Sequence, residues 1–563
     1  MAEPSSQPVR SVRHFRQILV WPLQLMPIRE GLQVQNHWEV LQQLGPDNPW
    51  HEVQDAFEHP EDFQEHHYSE FVAFLPYVQR MLYGEGKGCG SAAGESPIRV
   101  FRRSDVAGLR VTFPGDESNP LILDVAHVDL YFFYDLDLVI LALEVSADNL
   151  SFERAHEILF RLGRSYPTYW TQEGRGGHCF SRVEWLAADG QVLATSDYER
   201  RDKYLAYACK HRAPCISAHW EFLLEPLVLH HSDKAGPIRY RLVEYHRQPV
   251  CGLLTLDDPR VLTRADFMRL AMLTPPGPSQ VPPIPDHMSQ DFEARYCFDR
   301  FWSPDSAPLL SNTRALCSGE AFVMVGSASE GAYPGGGPAL RELFRQQYFL
   351  VFLISHLHKA ALLMLSDRLL AALNRMEVGN AESVRLFKRD IRQMKEIFLR
   401  FTHRYWHREV SDQLLAKSLY RMCQEHLDTE KLYGEVRNEI EEMNTYLDSD
   451  SIRRQANMVI RLTVVTIFGL IGTVATGFLG MNLFSHSDHP AWMKLLIFVA
   501  AFVPTVCLTG YTVLKSKRLA DFLDALSDER LPARHKLGAL AAVWKAQRGA
   551  DGKALKPEST PPP

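Results

Sequence analysis

Two long apolar runs near the C-terminus dominate the pattern of hydrophobic and polar positions. Residues 462–479 contain no charged side chain, and neither do residues 495–514. At 1.5 Å per residue the first run is about 27 Å long as a helix, close to the hydrocarbon thickness of a bilayer. The pattern predicts a first transmembrane helix with its end motif over 462–482, a loop over 483–494 and a second transmembrane helix over 495–514.

Residues 1–330 alternate between strand-like and helix-like runs, which predicts a mixed α/β cytosolic domain. Asp135-Leu136-Asp137 between two apolar runs predicts a hairpin, and Asn149 and Ser151 are alternative caps for the helix that follows. Pro- and Gly-rich segments at 275–285 and 331–338 predict breaks, the second of them a domain boundary. Strands are predicted at 17–25, 98–103, 128–134, 138–145, 182–186 and 239–245, and helices at 151–162, 198–210 and 264–272.

Residues 339–410 have the long apolar periodicity of cytosolic helices, one over 339–375 and one over 381–406. The first is almost apolar enough to span a membrane. Its middle, however, contains His356, His358 and Lys359, and a central lysine costs about 3 kcal/mol in a bilayer. The pattern therefore favours a buried helix of a soluble domain.

A third helix is predicted to begin at Ser411 and to continue without a stop into the first membrane run, with a stalk over 411–461 and Gly434 as its weakest point. An apolar stripe follows one face of the stalk, which indicates packing against a neighbour within the chain or in another subunit. The stripe consists of Leu432, Val436, Ile440, Met443 and Leu447. The acidic residues beside it are Glu435, Glu439, Glu441, Glu442, Asp448 and Asp450.

Basic residues lie on the same side of both apolar runs. Three arginines precede the first run and three basic residues follow the second, whereas the loop between them has only Lys494. The positive-inside rule then puts both termini in the cytoplasm and the loop outside. We expect a multi-pass protein of the plasma (inner) membrane, with residues 515–563 as a cytosolic tail.

Composition narrows the function classes. The net charge of −7 does not favour a nucleic-acid partner, and nine cysteines without a CxxC pair or regular spacing favour a reducing cytosol. The sequence contains no Walker A, HExxH or GxSxG motif. We therefore expect neither an enzyme nor a nucleotide-driven pump, and no catalytic cofactor.

The tripeptide Gly480-Met481-Asn482 at the end of the first run offers neutral oxygen ligands. Mg²⁺ gives up its water reluctantly, so a ring of carbonyl groups that accept hydrogen bonds from its hydration shell suits its passage. Asn482 would supply a side-chain carbonyl to the metal, and Gly480 would let the backbone turn and expose its own. The alternative is that Gly and Asn merely terminate a helix.

A pore-lining face is predicted at helical spacing before Asn482. On this face, two threonines would supply hydroxyl rings and two leucines apolar constrictions. Alternatively, the threonine hydroxyls bond to backbone carbonyls four residues earlier. The face consists of Leu462, Thr466, Leu470, Thr473 and Gly477.

Two closely spaced C-terminal spans, the first ending in Gly-Met-Asn, resemble the CorA family of divalent-cation channels, over roughly residues 411–518. The resemblance implies a funnel-shaped homopentamer with an α+β cytosolic domain, long helices and two C-terminal transmembrane helices. It also implies that Gly480, Met481 and Asn482 form the outer selectivity ring, with Mg²⁺ as the transported and regulatory ion. The sequence departs from the family at Leu479, where an aromatic residue is common.

The predicted outer loop is a second departure, because it carries few acidic residues. It offers His486, Asp488 and His489 as contacts for an external ion. Histidine ligands favour Zn²⁺ or Ni²⁺ over Mg²⁺. His403 and His407, four apart on a predicted helix, lack a third ligand, and a packed or solvated pair is favoured over a metal site.

The expected function is passive Mg²⁺ uptake driven by the membrane potential, with the lipid bilayer, divalent cations and further copies of the chain as partners. A Zn²⁺ or Co²⁺/Ni²⁺ transporter of the same architecture is a close alternative. The rival from another class is a sensory or scaffold protein that the two spans anchor to the membrane. The rival needs apolar spans, but it needs neither a threonine ladder nor Gly-Met-Asn.

Overall fold

The computed structural model describes residues 10–28, 36–45, 48–53, 64–85, 96–243, 247–299, 302, 312–328, 340–377 and 381–485, and further on residues 490, 492–493, 495–496, 498–500, 502–504, 506–507 and 511. The chain divides into two compact units, Met1–Glu441 and Glu442–Pro563. The first unit is an α+β region built on one mixed sheet, as the fold class predicted. Helix is the regular structure of the described part of the second unit.

Fourteen strands of the described region form the sheet. Their order is β12-β13-β14-β11-β1-β6-β5-β4-β7-β8, with β10 and β9 beside β1, and β3 and β2 beside β5. The pairs β11–β14 and β9–β10 are parallel, and the others are antiparallel. The strands are β1 Ser11–Leu25, β2 Trp50–Glu52, β3 Ile98–Arg103, β4 Gly108–Phe113, β5 Asp116–Phe133, β6 Leu138–Ser151, β7 Arg182–Leu186, β8 Val192–Thr195, β9 Leu227–Leu229, β10 Ile238–Leu242, β11 Val250–Leu256, β12 Cys297–Phe298, β13 Arg314–Cys317 and β14 Ala321–Ser327.

Strands β1 and β6 form the centre of the sheet. They pair antiparallel from Ser11 opposite Ser151 to Gln24 opposite Leu138. The first eight residues of β6 are all buried, as expected for a continuous apolar strand covered on both faces. The predicted hairpin is confirmed, because β5 and β6 join through a turn in which Asp135 has φ 66°. Aspartate tolerates this left-handed conformation better than most residues.

Thirteen α-helices lie between residues 37 and 485 in the described region, with one π-helical turn, Phe344–Tyr348, between the ninth and tenth. Ser151 caps the fourth, since its side chain accepts a hydrogen bond from the Arg154 amide at 3.3 Å. The helices are α1 His37–Gln43, α2 Glu65–Val72, α3 Pro76–Tyr83, α4 Phe152–Arg161, α5 Arg201–His211, α6 Ala218–Leu224, α7 Arg264–Met272, α8 Asp286–Tyr296, α9 Leu340–Leu343, α10 Phe349–Asn374, α11 Ala381–Arg404, α12 Leu414–His426 and α13 Thr429–Ser485.

Helices α4 and α10 cover opposite faces of the sheet. Leu159 of α4 lies against Gly252 of β11. A Cβ atom added at Gly252 would lie 2.9 Å from the Leu159 side chain. Phe352 of α10 packs on Phe322 of β14, with ring centroids 6.1 Å apart. Phe322 is the register partner of Cys251, the residue before Gly252. Because successive residues of a strand face opposite sides of the sheet, Phe322 and α10 lie on the side opposite to Leu159 and α4.

The apolar helix over Leu340–Asn374 is a core helix of this unit. It is the one helix in the described region that is long and apolar enough to cross a membrane, but 83% of its apolar window is buried inside the protein. His356 bonds to the Gly319 carbonyl at 3.1 Å, and His358 to the Tyr405 carbonyl at 2.6 Å. The polar residues in its middle are therefore paired within the fold, which confirms the prediction of a buried helix.

The predicted continuous stalk from Ser411 is wrong in one respect, because the structure has two helices there. Helix α12 ends at His426, and α13 begins at Thr429 after Asp428, which has φ 51°. The His426 ring stacks on the Tyr296 ring with centroids 4.6 Å apart, which holds the end of α12 against the end of α8. Asp-Thr is a common helix-start signal that could have been recognised in the sequence, whereas Gly434, the expected weak point, lies inside α13.

Candidate functional site

The candidate site is the uncharged segment of α13 in the second unit. The helix continues through the whole predicted first span and ends at Ser485. Its apolar stretch Met458–Val474 is shorter than the length taken as a membrane span. The predicted span 462–482 is therefore helical along its whole length.

Large apolar side chains of this segment are exposed in the single chain. Leu462 and Leu470 are 66% and 64% exposed, and Val474 is 65% exposed. Covering such a side chain stabilises a protein by about 1.5–3 kcal/mol relative to leaving it in water. A contiguous exposed apolar surface of this kind marks contact with a membrane or another protein.

The predicted pore-lining residues lie on one side of this helix. At 100° per residue they fall within about 80° of the circumference. Leu462, Leu470 and the two threonines are exposed. Thr466 donates a hydrogen bond to the Leu462 carbonyl at 2.8 Å, and Thr473 donates one to the Gly469 carbonyl at 2.9 Å. The threonine hydroxyls therefore bond to backbone carbonyls four residues earlier, the alternative expected from the sequence. These bonds use the hydroxyl hydrogens and leave the oxygen lone pairs free to accept.

The Gly-Met-Asn motif does not terminate the helix. We expected Gly480 to let the backbone turn, but α13 continues five residues further, to Ser485. In a regular helix the backbone carbonyls around Gly480 are bonded to amides four residues later, which removes them as exposed ligands. Asn482 also lies about 140° around the axis from Gly477. A ring of Asn482 carbonyls on the predicted pore face would therefore require the helix to end or unwind near Gly480.

Half of the predicted outer loop and part of the second run lie outside the described residues. This applies to His486, Asp488 and His489, the expected contacts for an external ion, and to the whole predicted tail 515–563. The described residues of the second run are helical, and Phe498 stacks on Phe502 with ring centroids 5.5 Å apart. Leu495 is 64% exposed, so this run has the same uncovered apolar character as the first.

Three of the five stripe residues are buried within the chain, and Leu432 and Met443 are half-buried. Val436 and Ile440 are 1% and 2% exposed, and Leu447 is 4% exposed. In the first unit, Tyr433 near the start of α13 stacks on Trp406 with ring centroids 4.5 Å apart. The stripe's neighbour therefore includes this chain's own helices, one of the two alternatives that the sequence left open.

Five of the acidic residues beside the stripe are exposed, namely Glu435, Glu439, Glu441, Glu442 and Asp448, and they differ in their partners. Glu435 lies 4.0 Å from Lys431, and Glu441 lies 3.1 Å from Arg437, each one helical turn away. Glu439 and Glu442 have no ion pair among the described residues. Surface pairs of this kind contribute about 0.3–0.5 kcal/mol, so none of these carboxylates is held firmly in place.

No metal centre is assembled in the described part of the chain, where no three His, Cys, Asp or Glu side chains form a group that could hold an ion. His403 and His407 do not form one, because His407 packs on Tyr77 with ring centroids 4.9 Å apart. These two histidines line a cavity of the first unit that no pattern in the sequence indicates. Comparisons of the chain with protein-family models, curated proteins and solved structures find no match.

Proposed function

We propose that this protein is a divalent-cation channel of the CorA type, which carries Mg²⁺ passively into the cell as a homopentamer. The observation that carries the proposal is the exposed face of α13, where uncharged apolar residues alternate with the threonines Thr466 and Thr473. A lipid-facing anchor has no need of such threonines. Five copies of this face around an axis would alternate hydroxyl oxygens with apolar constrictions.

The chemistry of the face suits a hydrated ion. Each threonine hydroxyl already donates to its own helix, so only its lone pairs point outward, and lone pairs accept hydrogen bonds from the waters around Mg²⁺. No carboxylate interrupts the run to bind the ion too tightly for release. The driving force would be the membrane potential, about 2.3 kcal/mol per charge per 100 mV.

The resemblance of Gly480-Met481-Asn482 to the family motif supports the choice of ion. In this proposal the conducting assembly ends the helix near Gly480, so that the Asn482 carbonyls face the ion. The basic residues flanking the two apolar runs support an orientation with both termini in the cytoplasm of a plasma (inner) membrane protein. Cysteine introduced at Ser487 should then react with an impermeant thiol reagent added outside the cell.

A membrane-anchored sensory or scaffold protein is the second candidate. The continuation of α13 past Asn482 favours it, because a helix that ends at Ser485 leaves the motif without a special conformation. A Zn²⁺ or Co²⁺/Ni²⁺ transporter of the same architecture differs from the first proposal only in the ion, and histidines in the predicted outer loop are its support.

Asn482→Ala separates channel from anchor. It removes one acceptor per subunit, on the order of 1 kcal/mol for each hydrogen bond, and alanine is an excellent helix former. The channel proposal expects lost or unselective transport at normal expression, and Asn444→Ala in the predicted stalk is the matched control. Unchanged rate and selectivity in Asn482→Ala would favour the anchor.

A further inference from the structure

The first unit contains a cavity of about 1040 Å³ that the transport proposal does not use. It lies between α1, α3, the start of β3 and the C-terminal end of α11. The side chains that line it include Trp38, Tyr77, Arg80, Tyr134, Arg404 and His407. Its volume is at the upper end of the range for small-molecule sites, which is far more than a single inorganic ion needs.

His407, one of the residues that line the cavity, has a buried polar atom without a partner in the described region. His407 is 9% exposed, and its Nε2 has no hydrogen-bond partner among the described residues. The ring bonds to the Arg404 backbone, and burial lowers its pKa to about 4, so the imidazole is neutral at pH 7. Because a carbonyl can only accept, the proton is on the other nitrogen, and Nε2 is a free acceptor. A buried group of this kind ordinarily has a partner, and a ligand with a donor would supply it.

Guanidinium groups at the cavity supply hydrogen-bond donors and positive charge. Arg80 is exposed at the cavity and has no side-chain partner in the described region. Arg400 and Arg404 each give one N–H to the buried carboxylate of Asp135, at 2.9 and 2.7 Å. Asp135 therefore orients both arginines while leaving further N–H groups on each. Forked guanidinium donors of this type bind phosphate and carboxylate groups.

Aromatic faces complete the wall. The rings of Trp38 and Tyr134 lie 6.0 Å apart at 40°, and Tyr134 and Tyr77 are 41% and 37% exposed. Such partly exposed rings can stack on a planar ligand ring. Glu39 and Glu85 also line the cavity, and these acceptors would repel a bare anion but would bind hydroxyl or amino donors.

We propose that this cavity binds a nucleoside phosphate. The phosphate groups lie at Arg80 and Arg404, the base stacks on the aromatic faces, and base or sugar donors reach His407 Nε2 and Glu39. A nucleoside phosphate combines an anion, a planar ring and hydrogen-bond donors, so it matches all three parts of the wall. The inference does not depend on the proposed transport function, because the residues that carry it lie within Met1–Glu441.

Binding of ATP to the purified full-length protein in detergent, measured by calorimetry in Mg²⁺-free buffer, tests this assignment. ATP should bind at least tenfold more tightly than either adenosine or tripolyphosphate, since each of these lacks one half of the ligand. Arg80→Gln should weaken ATP binding at least tenfold without changing the melting temperature, because Arg80 is exposed. Arg385→Gln is the matched control, since Arg385 is an exposed arginine of α11 outside the cavity, and it should bind ATP like the unaltered protein.

Three results would overturn the assignment. The first is no ATP binding at millimolar concentration, and the second is equal affinity for ATP and tripolyphosphate, which would indicate a simple anion site. The third is an Arg80→Gln variant that binds ATP as tightly as the unaltered protein. His407→Phe provides an independent check, because it removes the acceptor and keeps a ring, and it should lower the affinity for ATP without affecting tripolyphosphate.

Discussion

The hydroxyl of Thr466 donates a hydrogen bond to the carbonyl oxygen of Leu462 at 2.8 Å, so two residues of the predicted pore face are bonded to each other. The same bond holds Thr473 to Gly469. It fixes each hydroxyl with its hydrogen on the helix and its lone pairs outward. In the proposed channel this geometry makes the threonines acceptors for water around a cation.

Thr466→Val combined with Thr473→Val should lower Mg²⁺ flux. Valine keeps the shape of threonine and removes the acceptor, a change of about 1 kcal/mol per ring position and subunit. We expect a flux several-fold below that of the unaltered protein in liposomes, with unchanged assembly. Thr476→Val is the control, because Thr476 makes the same kind of bond, to Gly472 at 2.8 Å, but lies outside the pore face. Equal flux in the double variant and this control would remove the threonines from the mechanism.

The exposed apolar surface of α13 should be covered by lipid and by other copies of the chain. Because one helix encloses no pore, conduction requires an oligomer. The resemblance to the CorA family implies five copies, so mass measurement in detergent should give a pentamer. Leu470→Asn, which adds a polar group to the exposed face, should leave the first unit folded and weaken the assembly. A stable monomer that still conducts ions would contradict the pore.

The unpaired stalk carboxylates should contribute to regulation by cytosolic Mg²⁺. Glu439 and Glu442 have no ion pair in the described region, so at low metal concentration they would repel equivalent groups of neighbouring subunits. Glu439→Gln with Glu442→Gln should therefore weaken the dependence of conductance on cytosolic Mg²⁺. Glu435→Gln with Glu441→Gln is the matched control, since those two residues have basic partners in their own helix. An unchanged response in the first double variant would exclude its two glutamates from gating.

The first unit should lose stability in acid through its buried histidines. Burial lowers the pKa of His356 and of His358 from 6.5 to about 3, so below pH 6.5 the unfolded chain binds protons that the folded chain does not. Their contribution is complete above about pH 6.5 and declines as the pH falls towards 3, by up to about 1.4 kcal/mol per pH unit for each histidine.

Thermal melts between pH 7 and 4 measure how much stability the unaltered protein and His358→Gln each lose in acid. Its amide can still donate to the Tyr405 carbonyl, so the melting temperature should fall less steeply with acid than in the unaltered protein. His287→Gln, at an exposed position, is the control and should keep the original slope. A slope in His358→Gln identical to that of the control would show that His358 does not carry the effect.

Local patterns predicted many elements of the fold. Ile98–Arg103, Arg182–Leu186 and Arg264–Met272 were predicted with the bounds that the structure has, because apolar alternation and a clear cap define them within a few residues. The parallel pairing of β11 with β14 could not be predicted in this way, since it joins residues about 70 positions apart. The length of β5, from Asp116, was missed because its first half is largely exposed.

In the candidate site, too, the features set by local sequence were predicted and those set by tertiary structure were missed. The uncharged run, and the position of Thr466 and Thr473 on one helix face, follow directly from the spacing of residues in the sequence. Helix α13 has both features. The continuation of α13 past Gly480 was not predicted, because glycine and asparagine only favour a helix end and do not force one. The cavity beside His407 was also missed. Its walls come from α1, α3 and α11, and only the folded sheet and helices bring these together.

Ion flux into liposomes containing the purified protein tests the central claim most directly. The measurement compares Mg²⁺ with Zn²⁺ at a series of imposed membrane potentials, with protein-free liposomes as the blank. The channel account predicts Mg²⁺ entry that needs no ATP, rises with an inside-negative potential and falls when Asn482 is replaced by alanine. Mg²⁺ entry no faster than in the protein-free liposomes at every potential would contradict it.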